Sequence, residues 1–359
     1  MITVGAMVRG LSFAALVLLQ TSCSQQAPAE VTATEGKATV QISAYGTWTS
    51  PLTAEDVFGQ AVTIGQLQSV DGAIYFSESD PKQGGQLGIK KLAADDQVTE
   101  VVPAAFGVGS RVHEYGGAPY LAIGNSIFVT RMVDQLFYRI APNQEPVALT
   151  PQGTRHADCI SYSKGSRIIC VREDHRFAGE AKASLVTINL NFAGEGDTFV
   201  DGHDFFSSPA INQDNTQLAW IAWDHPNMPW DNTQLWVGEL NRKGEISNVH
   251  QIAPKLKGAV MQPLYAPDGQ LYFIADYDNW WNLYRLKADG SIEQVTKLQG
   301  EIGEPAWVFG EHAYAFENAH SVVFSYHQNG NIHLMRQDVN SGTSAVSYTH
   351  LTLPTKRIV

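Results

Sequence analysis

Two stretches decide the fold: FFSSPAINQDNTQLAWIAWDHPNMPWDNTQLWVGELNRKG, beginning at Phe205, and VMQPLYAPDGQLYFIADYDNWWNLYRLKADG, beginning at Val260. They carry the same pattern. Each opens with a small-or-polar segment ending in proline, Pro209 or Pro263, followed by a turn at Gln213-Asp214-Asn215 or Pro267-Asp268-Gly269. An apolar, β-rich run follows (Gln217 to Trp223, Gln270 to Ala275), then a polar loop carrying Trp, then a second run (Gln234 to Leu240, Trp281 to Leu286). Each copy closes on a glycine turn, Lys243-Gly244 or Asp289-Gly290. Short, evenly spaced strands repeating at a period of roughly 50 residues are the signature of β-propeller blades.

Six such units can be read along the chain. The middle strands are AIYFSES (Ala73–Ser79), SIFVTRM (Ser126–Met132), RIICVRE (Arg167–Glu173), QLAWIAW (Gln217–Trp223), QLYFIAD (Gln270–Asp276) and HAYAFEN (His312–Asn318). The strands after them read QLGIKKL, QLFYRIA, SLVTINL, QLWVGEL, NLYRLKA and NIHLMRQ. Long amphipathic helices, with their 3.6-residue period, are not expected in any run of this length. The fold expected is all-β, a propeller over 45–340 with six recognisable blades. One blade cannot bury both faces alone, and a ring closes only when every edge is met. A seventh blade is therefore expected to be missing.

The bulk numbers fit an exported globular domain. The 359 residues include 24 basic and 36 acidic ones, a net charge of −12, with 44% apolar content. Without a basic cluster to neutralise phosphates, nucleic acid is not an expected partner. Arg9 followed by GLSFAALVLL and QTSC ending at Cys23 has the layout of a secretory signal over 1–23, too short for a stable membrane span. Cys23 directly after Thr21-Ser22 resembles a bacterial lipoprotein box, in which that Cys is lipidated; Gln20 departs from the usual Leu. Residues 24–44 read as a tether. The expected location is the periplasm, with membrane contact only through an N-terminal lipid, and plain secretion as the other reading. Cys159 and Cys170 lie on two short runs about Lys164-Gly165 and would face each other in a hairpin turning there. A disulfide and two buried free thiols both stand as readings. At the other end, SYTHLTLPTKRIV from Ser347 resembles translated adapter sequence, so 347–359 is expected to be non-native, and no blade pattern is read after Gly342.

Further motifs carry a family resemblance: RVHEYGG (Arg111–Gly117), RHADCISYSKGSRIICVREDH (Arg155–His175), the Asp204–Leu240 stretch, DNWWNLYR (Asp278–Arg285) and EPAWVFGEHAYAF (Glu304–Phe316). Together they resemble the propeller of the prolyl oligopeptidase family of serine peptidases, in the dipeptidyl-aminopeptidase/acylaminoacyl-peptidase-like branch. The resemblance implies a propeller ahead of an α/β-hydrolase domain with a Ser-Asp-His triad, admitting short peptides rather than folded proteins. No G-x-S-x-G nucleophile elbow occurs in the chain. The expectation is thus a propeller cut off before its catalytic domain, with no catalytic residue and no cofactor of its own, and no peptidase activity as it stands.

Some members of the family hold a substrate's free amino group with a propeller carboxylate. The resemblance gives that role to Glu114, with Arg111 gripping a carbonyl or carboxylate through its fork. The bland alternative has both residues forming ion pairs within the propeller while the glycines permit close packing. Glu173-Asp174-His175, His203-Asp204 and Asp224-His225 lack metal-ligand spacing and read as loop bridges, so no metal is expected. The Trp residues of WDHPNMPW (Trp223–Trp230) and Trp280-Trp281 read either as packing on the next blade or as facing substrate. Two functions follow. One is a gating and substrate-positioning propeller of an exported serine peptidase; the other is a non-enzymatic periplasmic lipoprotein scaffold that binds peptides or proteins.

Overall fold

A computed structural model describes residues 42–348, apart from 60 and 242. Cys23 and most of the adapter-like tail lie outside the described residues. The chain divides into two units, Met1–Gly59 and Gln60–Val359. In the first, helix α1 (Ala54–Phe58) is a single turn begun by a capping box, in which the Thr53 and Asp56 side chains each accept from the other's backbone N–H. The lead-in from Tyr45 thus belongs with this unit rather than with the blades.

The second unit contains six four-stranded antiparallel meanders, the six blades of a β-propeller. The first holds β1 (Thr63–Val70), β2 (Ala73–Ser79), β3 (Leu87–Leu92) and β4 (Val98–Val102). The second holds β5 (Tyr120–Ile123), β6 (Ser126–Thr130), β7 (Phe137–Ile140) and β8 (Val147–Ala148). The third holds β9 (Thr154–Tyr162), β10 (Arg167–Asp174), β11 (Lys182–Asn189) and β12 (Asp197–Val200). The fourth is β13 (Phe205–Ile211), β14 (Gln217–Trp223), β15 (Gln234–Leu240) and β16 (Ile246–Gln251). The fifth is β17 (Val260–Tyr265), β18 (Leu271–Ala275), β19 (Asn282–Leu286) and β20 (Ile292–Gln294). The sixth is β21 (Tyr314–Asn318), β22 (Ser321–Gln328), β23 (Asn331–Asp338) and β24 (Ser344–Tyr348).

Period-2 alternation packs each blade on both sides. On β14, Leu218, Trp220 and Ala222 pack against blade three, while Ala219, Ile221 and Trp223 pack against blade five. On β10, Ile168 and Cys170 face blade two, and Ile169 and Val171 face blade four. Apolar clusters fill the junctions between blades one and two, two and three, three and four, four and five, and five and six. Among the described residues no such cluster joins blade six to blade one. Ile64 and Ile74 of blade one and Ile332 and Val346 of blade six stay largely exposed instead. Two unmet sheet faces fit an incomplete set of blades.

The innermost strands repeat a bulge. The register shifts at Gly65/Leu67, Ser207/Ala210 and Met261/Leu264, and Pro209 and Pro263 sit in these gaps, where a missing N–H breaks no ladder bond. At or beside each of these bulges, and at a matching one in β9 opposite Ile169/Val171, one non-glycine residue turns to positive φ: Gln66 (31°), Ser208 (51°), Gln262 (46°) and, in β9, Asp158 (52°). Their groups clasp adjacent blades. Gln66 Nε2 donates to Tyr120 O (3.0 Å), Ser208 N to Asp158 Oδ2 (2.5 Å), and Gln262 Nε2 to Tyr314 O (2.8 Å).

Two expectations are corrected in blade six. HAYAFEN contains its innermost strand, β21, rather than its middle one; the second strand, β22, is SVVFSYHQ and was missed. The tail is also patterned: Ser344–Tyr348 forms β24, pairing Ser344 with Gln337 and Tyr348 with Leu334, so the sheet runs past residue 340 and into the stretch read as non-native. A five-residue edge strand needs only ladder partners and shows little alternation, which is why its residues gave no signal.

Candidate functional site

Because each blade has four strands, its first strand starts on the same face of the propeller as its second-to-third loop. That face gathers the lead-in segments 103–119 and 295–313 and the loops 175–181, 224–233 and 276–281. Nearly every motif singled out in the sequence therefore shares one face. The opposite face carries tight turns such as Asp71-Gly72 and Asp268-Gly269.

RVHEYGG is not a strand but a coiled lead-in to β5. His113 and Glu114 take φ of 54° and 63°, and Gly116 and Gly117 take 69° and 98°. The glycines are sterically required: a Cβ on Gly117 would lie 2.5 Å from Phe309 N and closer still to its carbonyl oxygen. This close approach lets Phe309 N donate to Gly116 O at 2.8 Å, tying the lead-ins of blades two and six together.

Alternate residues of the motif point to different neighbours. Glu114 pairs with Arg155 at 2.7 Å, and the same guanidinium nitrogen donates to Arg111 O at 2.9 Å. The Arg155 hydrogen bond lowers the Glu114 carboxyl, although that side chain is 72% exposed. Arg111 is exposed, its backbone N–H donating to Gln135 Oε1 at 2.8 Å. Glu173 lies beneath this pair, accepting from His113 N at 2.8 Å and pairing with His175 Nε2 at 2.9 Å.

His113, Tyr115 and Gly116 face a cavity of about 240 Å³. Its walls are aromatic and thioether-rich: Phe205, Trp223, Trp230, Trp307 and Phe309, with Met228 and Met261. Trp230 and Trp307 lie with centroids 4.4 Å apart, and Tyr115 meets Trp307 edge-on at 5.6 Å. The His113 ring is boxed by Phe309 (4.6 Å), Phe205 (5.2 Å) and Trp223 (5.3 Å). Burial pushes its imidazole down to about 3, so it is neutral at physiological pH, and its Nε2 has no hydrogen-bond partner. Glu311 also lines this cavity, and the neighbouring channel space as well. Burial first, and the Glu304 carboxylate second, raise it to about 7, and its Oε2 is buried without a partner.

The remaining candidates pair among themselves. His203 Nδ1 meets Asp224 Oδ2 and His225 Nδ1 meets Asp204 Oδ2, both at 2.9 Å, crossing the open end of the β13–β14 hairpin. Asp174 is held at about 2 by Arg176, which also binds Glu195. Cys159 and Cys170 are bonded within blade three (S–S 2.02 Å). Trp230 of WDHPNMPW lines the cavity, whereas Trp281 packs into the core between blades five and six. The cavity as a unit is not legible in the sequence, since its walls come from segments up to 198 residues apart, His113 to Glu311 on the flanking lead-ins. EPAWVFGE enters the sequence reading only as part of a motif that carries the family resemblance, and nothing in its composition marks Glu311 as partnerless.

No protein-family model and no curated protein matches the chain. Solved structures do. A puromycin-hydrolyzing peptidase of Mycobacterium tuberculosis is 27% identical with a TM-score of 0.76, over 86% of this chain and 50% of that one. A puromycin hydrolase matches equally well (27% identity, TM-score 0.76), over 85% and 50%. Prolyl oligopeptidase B from Galerina marginata is 11% identical with a TM-score of 0.56 over 80% of this chain, a likeness of fold alone. The chain thus spans about half the length of the peptidases it matches. With six meander blades and these neighbours, the chain is a β-propeller that resembles the propeller of prolyl-oligopeptidase-family peptidases.

Proposed function

We propose that this propeller gates and positions short peptides for an exported serine peptidase whose α/β-hydrolase domain follows in the same polypeptide. The observation that carries the reading is the 27% identity to puromycin-hydrolyzing peptidases, spread over 86% of this chain and half of theirs. In the complete protein a serine, with histidine as base, would attack the scissile carbonyl and an oxyanion hole would stabilise the tetrahedral intermediate. The propeller's part is selection. The loop-rich face offers a pocket for an apolar side chain, and the lead-in that supplies His113 and Tyr115 to it also carries Arg111 and Glu114. Export through the N-terminal signal, with lipidation at Cys23, places the reaction in the periplasm.

The test is to sequence the source DNA across codon 346 and onward, express the full gene, and assay aminoacyl and dipeptidyl p-nitroanilides with and without a serine-directed inhibitor. Inhibitor-sensitive hydrolysis is expected, with Glu114→Ala raising KM more than it lowers kcat. A stop codon shortly after blade closure sinks the peptidase reading and leaves the scaffold. For localisation, Cys23→Ala is expected to release the protein from the membrane fraction; a protein that stays in the cytosol refutes export.

A further inference from the structure

Three innermost strands carry the same kind of bulge, two residues facing one. In β13, Ser208 and Pro209 stand opposite Trp220; in β17, Gln262 and Pro263 stand opposite Phe273; in β9, Asp158 and Cys159 stand opposite Cys170. The first residue of each pair takes positive φ. The second is proline in blades four and five, where the ring fixes φ and holds the bulge rigid. Blade three has Cys159 at that position, bonded to Cys170 across the bulge. A covalent link between strands here takes the place of the proline ring, with one chemical difference: thiols open a disulfide and leave a proline as it is.

The β9 bulge also holds more than its counterparts. Asp158 N donates to Ala118 O on the lead-in of blade two (3.1 Å), and Asp158 Oδ2 accepts from Ser208 N of blade four (2.5 Å), so one residue ties three blades together. Burial raises its carboxyl to about 6, so at pH 7 the clasp holds a desolvated anion that gains solvation once the strand is free to move. Cys170 is fully buried, whereas Cys159 is only partly buried and lines, with Asp158 and Ser208, a channel space of about 390 Å³. We propose that the Cys159–Cys170 disulfide is a thiol-sensitive latch on the channel wall, opened by small thiols entering the channel, and that its opening releases the Asp158 clasp between blades three and four. The attacking thiolate bonds to Sγ of Cys159, the residue that faces the channel, while Cys170 leaves and takes up a proton. A second thiol attacks the reductant's sulfur in that mixed disulfide and frees Cys159 as a thiol. Two small thiols become one disulfide, and two electrons and two protons pass to the chain.

The latch belongs to the propeller itself and does not depend on the peptidase reading. The experiment is hydrogen exchange of this 359-residue chain at pH 7, with and without dithiothreitol, read by mass spectrometry on Phe205–Ile211 and Leu271–Ala275. The disulfide is expected to open without denaturant. The Ser208 amide should then lose protection by at least about tenfold, the range of one charge-assisted hydrogen bond, while Leu271–Ala275 in blade five keeps its protection. Cys159→Ser should show the same loss with or without the reductant. Cys159→Pro, which copies Pro209 and Pro263, should keep Ser208 protected in both conditions. Near-ultraviolet circular dichroism checks that each variant is folded; if Cys159→Pro is not, the unmodified chain and Cys159→Ser decide between the same outcomes. A disulfide that opens only in denaturant, Ser208 protection unchanged by reduction or by Cys159→Ser, or an equal loss in Leu271–Ala275 overturns the proposal.

Discussion

His156 sits on β9 with no solvent exposure, its ring 6.2 Å from Phe137 and both ring nitrogens without partners. Burial, helped by the nearby Arg172 guanidinium, pushes it down to about 3. A histidine depressed in the folded state takes up its proton first in the unfolded chain. Its effect is absent above about 6.5, and stability is lost as pH falls from there towards 3. At 1.36 kcal/mol per pH unit, lowering the pH from 7 to 5 removes about 2 kcal/mol through this residue alone. His156→Leu abolishes that loss, and its packing offset at pH 7 is read separately, at under about 1.5 kcal/mol for a swap of similar volume. Asp158 and Glu311, raised by burial to about 6 and about 7, act in the opposite direction, gaining stability as pH falls. They are common to both proteins and cancel in the difference. Urea unfolding followed by tryptophan fluorescence at pH 7 and pH 5 gives all four free energies. Parallel pH responses of the two proteins would refute the reasoning and mean that His156 is protonated or hydrogen-bonded in the folded state.

Gly117→Ala places a Cβ against the Phe309 backbone at φ 98° and is expected to cost about 2–4 kcal/mol; Gly124→Ala, at φ 56° with open space around it, should cost only about 1 kcal/mol, and thermal unfolding compares the two. Reducing the Cys159–Cys170 bond, which spans 11 residues of sequence, should destabilise by up to about 3 kcal/mol, visible as a lower urea midpoint with dithiothreitol. His225, raised by its hydrogen bond to Asp204, should titrate above its ordinary 6.5 in an NMR pH series and fall back in Asp204→Asn, while an unchanged midpoint would deny the pair in solution.

Blades were legible wherever strands alternate against two neighbours, because both residue sets must then be apolar. QLAWIAW satisfies blades three and five at once, and the pattern cannot be mistaken. Blade six has one packed neighbour among the described residues, so β22 needs only Val322 and Phe324, and its other face keeps Ser325 and His327. With half the constraint came half the signal, and the strand assignment slipped by one. The turns of the cross-paired His203, Asp204, Asp224 and His225 illustrate another limit: each dipeptide was visible, but which histidine meets which aspartate depends on the β13–β14 register. Glu311 was invisible for the same reason in stronger form, since what marks it is the lack of a partner in space.

Parity explains where the chemistry lies. A blade with both faces packed cannot spare a strand residue for a ligand, so binding groups have to come from loops. Four strands are an even number, and each meander returns the chain to the face it left before starting the next blade. Loops entering each innermost strand and loops between each second and third strand therefore always share a face, whatever their sequences. On the other face the turns between first and second strands stay short, as Asp71-Gly72 and Asp268-Gly269 do. Segments with no sequence likeness, RVHEYGG, WDHPNMPW and EPAWVFGE, are thereby brought to a single cavity. The bulged inner strands then fix how closely they approach, since Gln66, Asp158 and Gln262 clasp one blade to the next at the channel wall. Loosening those clasps would widen the cavity while leaving its aromatic side chains unchanged.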